Sequence, residues 1–277
     1  MSILFFTDVK FEYMAKYLIR SLDIQKVDTD YLYYTIGFNS TIEHPNLIKK
    51  RWETNTNIPR FEYYKPTLLL DALKDYNNVI FLDSDIIIGR RFDLSKFDHD
   101  FDYPLTSYGN WEFPWAINYQ DGKEILVNEE RLMNCLCVKE RSMHYVYSCF
   151  MSVNRNCIDF LKDWEHFCNN PYLLENRNIF YPFQDETSFN VLLWKKECTK
   201  NYGRIFLNTL YFDPLEFVEN EENNDFEGRV YSVPEQYVDK ASNIMFYHGL
   251  KNKDELEDSL QYLEKQSEIK VGGVTNE

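Results

Sequence analysis

No stretch of this 277-residue sequence approaches the ~20 consecutive apolar residues that a membrane-spanning helix needs. Its first eight residues, Met1 to Asp8, turn acidic too soon for a secretory signal. The six cysteines (Cys135, Cys137, Cys149, Cys157, Cys168 and Cys198) form no C-x-x-C pair and no zinc spacing with the five histidines. In a chain long enough to build a full core, they read as reduced, mostly buried thiols, and the protein as soluble and cytoplasmic. Positive charge is also short: 30 Lys and Arg stand against 45 Asp and Glu, a formal net charge of -15. Such a surface repels phosphate backbones and anionic membranes. The longest basic run is Lys49-Lys50-Arg51, so long nucleic acid is disfavoured as a partner. Internal repeats and linkers are absent, which implies one domain.

Hydrophobic residues make up 44% of the chain and aromatics 17%. That is enough for a large core and excludes wholesale disorder. Most of the aromatic rings are packing residues, although Tyr and Trp also stack on the apolar faces of sugars.

Residues 3–6 read as a buried strand that ends at Thr7-Asp8. Met14, Tyr17, Leu18 and Leu22 then recur at helical spacing. Tyr31 to Phe38 predicts a second strand and Ile58 to Tyr64 a third. Pro66 suits the first turn of a helix striped by Leu69, Leu70, Leu73 and Tyr76. A strand runs from Val79 into Asp83-Ser84-Asp85. This alternation predicts an α/β fold with a mainly parallel sheet flanked by helices. Ligands of such sheets bind at the carboxyl ends of strands, where both Thr7-Asp8 and Asp83-Ser84-Asp85 fall. Further along, Tyr145 to Val153 reads as a strand, and Asn154 as the cap of a helix with Ile158, Leu161, Trp164 and Phe167 on one face. Gln184 to Lys196 is another helix, residues 219–228 an acidic surface loop, Ile244 to Tyr247 a short strand, and Leu256, Leu260 and Leu263 mark a last helix.

The run Val79 to Gly89 carries the most chemistry. Two carboxylates, Asp83 and Asp85, interrupt an apolar stretch, and no Gly or Pro between Leu82 and Ile86 marks a turn. In an extended chain residues two apart share a side, so both acids can aim at one divalent cation. Mg2+ and Mn2+ prefer such oxygen ligands. The plainer alternative is an acidic turn with both carboxylates in water. A lone D-x-D favours that alternative, and the apolar flanks favour the metal.

The strand context of Phe81-Leu82-Asp83-Ser84-Asp85 resembles the D-x-D element of GT-A nucleotide-sugar-dependent glycosyltransferases, with affinity to glycosyltransferase family 8 and the glycogenin-like group. The resemblance runs over about residues 3–253 and is patchy between 90 and 140. It implies a GT-A fold over residues 1–266, with a nucleotide-binding half of about 1–100, a donor-sugar and acceptor half of about 101–266, and a flexible tail at 267–277. It also implies Mn2+ or Mg2+ held by Asp83 and Asp85 together with the diphosphate of a sugar nucleotide, by default a UDP-sugar. Ser84 belongs to the same element.

In that group a late histidine completes the metal site and a nearby Gly and Lys reach the diphosphate. Here Tyr247-His248-Gly249-Leu250-Lys251 places His248, Gly249 and Lys251 close together, in a compressed form that lacks a following Pro-Trp. A structural, hydrogen-bonded histidine is the alternative. Gln184-Asp185-Glu186 resembles the acidic segment facing sugar or acceptor. Gln184 would contact the donor sugar, and Asp185 or Glu186 would hold hydroxyls or accept a proton. Acids also favour a helix first turn with no chemistry at all.

Thr7 and Asp8 resemble the positions that contact base and ribose. Lys65 can reach phosphate or donor sugar, but a solvated lysine needs no function. Trp111 and Trp115 can shape an acceptor pocket or simply pack, and Tyr147, Ser148 and Cys149 lie on a strand that can line the site. The function implied is transfer of a sugar to an acceptor hydroxyl on a glycan or small molecule, with retained anomeric configuration; inversion is the alternative, with Asp185 or Glu186 as its base. A sugar-nucleotide nucleotidyltransferase is the rival enzyme. It should carry a Gly-rich, basic loop after the first strand, where this chain has Asp8-Val9-Lys10-Phe11-Glu12. A non-catalytic sugar- or protein-binding module with a vestigial cleft is the third reading.

Overall fold

The structure is a computed structural model. It describes residues 1–55, 57–58, 60–88, 94–108, 119–120, 123–124, 133–134, 137–139, 146–169, 184–196, 208–210, 245–247 and, within 253–264, all but 255, 259 and 262. Among the described residues the strands are β1 (Ser2–Thr7), β2 (Asp30–Ile36), β3 (Leu47–Trp52), β4 (Asn78–Leu82), β5 (Ile87–Ile88), β6 (Leu105–Tyr108), β7 (Tyr119–Gln120), β8 (Lys123–Glu124), β9 (Val146–Asn154), β10 (Asn208–Leu210) and β11 (Met245–Tyr247). The helices are α1 (Glu12–Ile24), α2 (Lys65–Asp75), α3 (Ile158–Cys168) and α4 (Gln184–Lys195), with further helical residues between 253 and 264.

The main sheet has six strands in the order β3-β2-β1-β4-β9-β6. β1 pairs in parallel with β2, and β2 with β3, while β6 runs antiparallel to β9. The expected α/β architecture is therefore present. The chain divides into two compact units of interleaved segments: Ser2–Glu53, Leu82–Lys96 and Phe206–Glu277 in one, Thr54–Phe81 and Phe97–Ile205 in the other.

In the first unit, every residue of β1 is buried, as are six of the seven in β2, so these strands read as continuous apolar runs rather than alternating ones. α1 buries Met14, Ala15, Leu18, Ile19 and Leu22. Met14 clusters with Ile87 of β5 and with Leu256, Leu260 and Leu263 of the last helical segment. A three-stranded sheet ordered β10-β11-β5 completes the unit.

In the second unit, α2 packs on α3 and α3 on α4. Trp164 of α3 meets the Phe189 ring of α4 at 4.8 Å in a tilted arrangement, and Phe160 meets the same ring edge-on. Asn154 caps as expected, its side chain accepting from Asn156 N at 2.6 Å, although one 3-10 turn, Arg155–Cys157, precedes α3.

Two expectations are corrected. The third strand is Leu47–Trp52, and Phe61–Tyr64 is a 3-10 turn running straight into α2. Three adjacent cations hide β3 in the sequence; an edge strand tolerates them because its outer side meets water, and they guard it against further pairing. The aromatic run at 61–64 mimics a strand, but Tyr63 and Tyr64 are adjacent and both buried, which an alternating strand with one wet face does not allow. The second correction is at Asp83-Ser84-Asp85. The chain does not continue extended: Ile86 N donates to Asp83 O at 3.2 Å, closing a turn between β4 and β5.

Candidate active site

Asp83, Ser84 and Asp85 occupy that turn, and all three are half-buried. The same-side argument from an extended chain therefore does not apply. The strand leaving the turn is fixed from two sides. Ile88 N donates at 3.1 Å to the buried Ser21 hydroxyl of α1, which donates in turn to Leu18 O at 2.7 Å. Ile87 and Ile88 pair antiparallel with Tyr247 and Phe246 of β11. Tyr247, opposite Ile87, is followed in sequence by His248. His248, Gly249 and Lys251 lie outside the described residues, as do Trp111, Trp115, the 219–228 loop and the tail at 267–277. Among the described residues no three His, Cys, Asp or Glu side chains gather as a metal-binding group.

At the end of β1, Thr7 is fully buried and its hydroxyl shares a 2.5 Å hydrogen bond with Tyr33 OH. Asp8 heads the turn into α1: its Oδ1 accepts from Lys10 N at 2.9 Å and from Phe11 N at 3.1 Å. In a triphosphate-binding loop such amides face the phosphates; here a carboxylate already occupies them.

The other unit holds a compact polar cluster. Lys65, the first residue of α2, is only 5% exposed, so the solvated-lysine reading is overturned. Its ammonium donates to Ser148 Oγ at 3.1 Å, lies 3.4 Å from Asp185 Oδ2, and sits 5.6 Å from the centre of the Phe81 ring. Asp185 is 3% exposed. Its Oδ2 also accepts from Ser148 Oγ at 3.2 Å, and its carbonyl accepts from Trp164 Nε1 at 2.7 Å and from Ser188 Oγ at 3.0 Å. Burying this carboxylate is tolerable because a cation and a hydroxyl share it. Glu186 is half-buried and accepts from Ser148 N at 3.1 Å. The side chain of Gln184 lies outside the described residues, while its backbone opens α4. Burial, and after it the charge of Asp185, pushes the Glu62 carboxyl up from its ordinary range, while Arg60 at 3.1 Å pulls it down. Burial likewise pushes up the Tyr63 phenol and the Cys168 thiol.

The bridging role of Ser148 was not legible in the sequence. Ser148 is one of three polar residues, with Ser152 and Asn154, in a largely apolar strand, and nothing in that pattern names its partners. Among the described cysteines, Cys149, Cys157 and Cys168 are buried free thiols and Cys137 is an exposed one.

No protein-family model matches the sequence, and no curated protein matches it significantly. The fold is that of the GT-A glycosyltransferases. The chain is similar to a galactosyltransferase, LgtC, solved in complex with donor and acceptor sugar analogs: TM-score 0.53, 13% identity, over 97% of this chain and 96% of that one. It is similar also to an active-site mutant of LgtC, with TM-score 0.53 and 14% identity over 96% of each chain.

Proposed function

We propose that the protein is a metal-dependent glycosyltransferase that moves a sugar from a nucleoside diphosphate sugar, UDP-linked by default, to an acceptor hydroxyl on a glycan or small molecule with retention of configuration. The observation that carries this reading is the β4–β5 turn. It carries Asp83 and Asp85 at a strand end, and its exit strand pairs with β11, whose last described residue, Tyr247, immediately precedes His248 in the sequence. Two carboxylates and an imidazole suit Mn2+ or Mg2+. Asp83, Asp85 and His248 would hold the ion, which when bound neutralises charge developing on a diphosphate leaving group.

The remaining roles belong to the chain. Gly249 lets phosphate approach the backbone, and Lys251 adds positive charge. Because the Thr7 hydroxyl is committed to Tyr33, the main chain at Thr7-Asp8 is left to meet base and ribose. Lys65, Gln184, Asp185 and Glu186 are assigned to the donor sugar and the acceptor hydroxyl. Asp185 already shares its carboxylate with Lys65 and Ser148, which leaves Glu186 the better placed of the two acids to accept a proton. The likeness to a galactosyltransferase along nearly the whole chain supports the same reading. The nucleotidyltransferase alternative loses support, since Asp8 takes the amides its triphosphate would need.

The test is thermal melting with UDP, GDP and their common sugars, with and without Mn2+. Ligand at 100 times its Kd stabilises the native state by about 2.7 kcal/mol, so a rise of several degrees is expected for UDP and a UDP-sugar with Mn2+ present. No rise with any nucleotide, with or without metal, would leave the non-catalytic module as the better reading.

A further inference from the structure

The register between β6 and β9 breaks. Leu105 pairs with Ser152 and Thr106 with Met151, but Ser107 pairs with Tyr147 rather than continuing in step. Residues 148–150 thus have no counterpart on β6, and β9 bulges there. Bulges free backbone donors and re-aim side chains, and they recur beside active sites. The bulge begins at Ser148, 1% exposed, and all of that residue's polar groups are in use. Its N–H donates to Glu186 Oε2 at 3.1 Å; its hydroxyl receives from Lys65 Nζ at 3.1 Å and donates to Asp185 Oδ2 at 3.2 Å; its carbonyl receives a longer bond from Lys65 Nζ at 3.4 Å.

The geometry points to Ser148 as a positioning residue of the proposed transferase, an inference that rests on the function proposed above. It touches no substrate in this scheme. Its hydroxyl fixes the Lys65–Asp185 pair and its amide fixes the Glu186 carboxylate, so one bulged residue sets three charged side chains at once. A regular ladder spends a strand's amides on its neighbours; at the bulge this one reaches the first turn of α4 instead.

UDP release from UDP-glucose and UDP-galactose with Mn2+ measures the consequence. Removing a hydroxyl that two buried charges share should lower kcat about tenfold in Ser148→Ala and leave KM within about twofold. Ser148→Thr keeps the hydroxyl and Ser148→Val fills the same volume without it. Threonine should therefore rescue and valine should not, at matched melting temperature, and this pair carries the test should the alanine variant fail to fold. Wild-type kcat in Ser148→Ala or Ser148→Val, or a loss confined to KM, overturns the assignment. A readout free of turnover separates this inference from the function it rests on. Amide hydrogen exchange at Ser148 should be slow in the wild type and at least about tenfold faster in Glu186→Ala. Unchanged exchange overturns the inference, whereas slow exchange in a wild-type protein that releases no UDP retains the anchoring geometry and removes only the glycosyltransferase reading.

Discussion

Lys65 is the first residue of α2, where the helix dipole offers a cation nothing favourable. Its ammonium is nevertheless buried, and Asp185 is what makes that tolerable. Losing one member of such a pair costs about 3–5 kcal/mol, because the other is left charged in a poor solvent. Lys65→Met and Asp185→Asn should each lower stability in urea melts by that order, and the double variant should lose clearly less than their sum. Strict additivity would mean the two side chains are not coupled. A different residue governs the acid side. Burial pushes the His99 imidazole below its ordinary value, more than its bond to Ser152 O and the nearby Asp98 and Asp100 raise it. Asn154 Nδ2 donates to Nδ1 at 2.9 Å, so the ring proton sits on Nε2, which donates to Ser152 O at 3.0 Å. The unfolded chain binds this proton first as pH falls. The contribution is whole above about pH 6.5, the ordinary histidine value, and is lost progressively below it. His99→Gln should therefore flatten the fall in stability between about pH 7 and pH 5; an unchanged slope would rule this group out.

At the scale of elements, the last helical segment is held to α1 by two kinds of contact that differ greatly in worth. Arg20 pairs with Glu264 at 2.6 Å and with Glu257 at 3.5 Å, but its side chain is 44% exposed. Exposed pairs contribute about 0–1 kcal/mol. Leu256, Leu260 and Leu263 are buried against Met14 and Ile87, and truncating a buried leucine costs about 2–5 kcal/mol. Leu260→Ala should destabilise the protein several times more than Arg20→Ala in the same denaturation series, and the reverse order would mean the helix docks by charge. Element positions were legible wherever the apolar pattern was strong: β1 and β2 as continuous runs, and α1, α2 and α3 by helical spacing. β3 was not, because an edge strand needs no apolar signature. Nor was the turn at Asp83, because residues 84 and 85 are neither Gly nor Pro and the apolar residues beyond belong to a second, separate strand.

The whole molecule is an acid with a net charge of -15, and it is proposed to bind an anionic diphosphate. Long-range electrostatics oppose that encounter, so a local cation has to reverse the sign of the field. EDTA should therefore abolish UDP binding and sugar transfer, and Mn2+ should restore both. Asp85→Ala should lack both at any Mn2+ concentration while melting cooperatively near the wild-type temperature, since a half-buried turn residue contributes little packing. Full binding in chelator, or an active Asp85→Ala protein, would refute metal dependence. Of the membrane expectation, only this much is visible: among the described residues no helix is long and apolar enough to cross a bilayer.

The amino-acid order alone determined the α/β rhythm, the acids at a strand end and the absence of a triphosphate loop, because periodicity, charge and spacing are local properties that a chain carries with it. Tertiary structure decided which polar groups meet. Lys65, Ser148, Asp185 and Glu186 come from three separate stretches of chain, and only the packing of α2, β9 and α4 makes them a network. The bulge that lets Ser148 serve all three charges follows from a mismatch between two paired strands, and no single segment contains it.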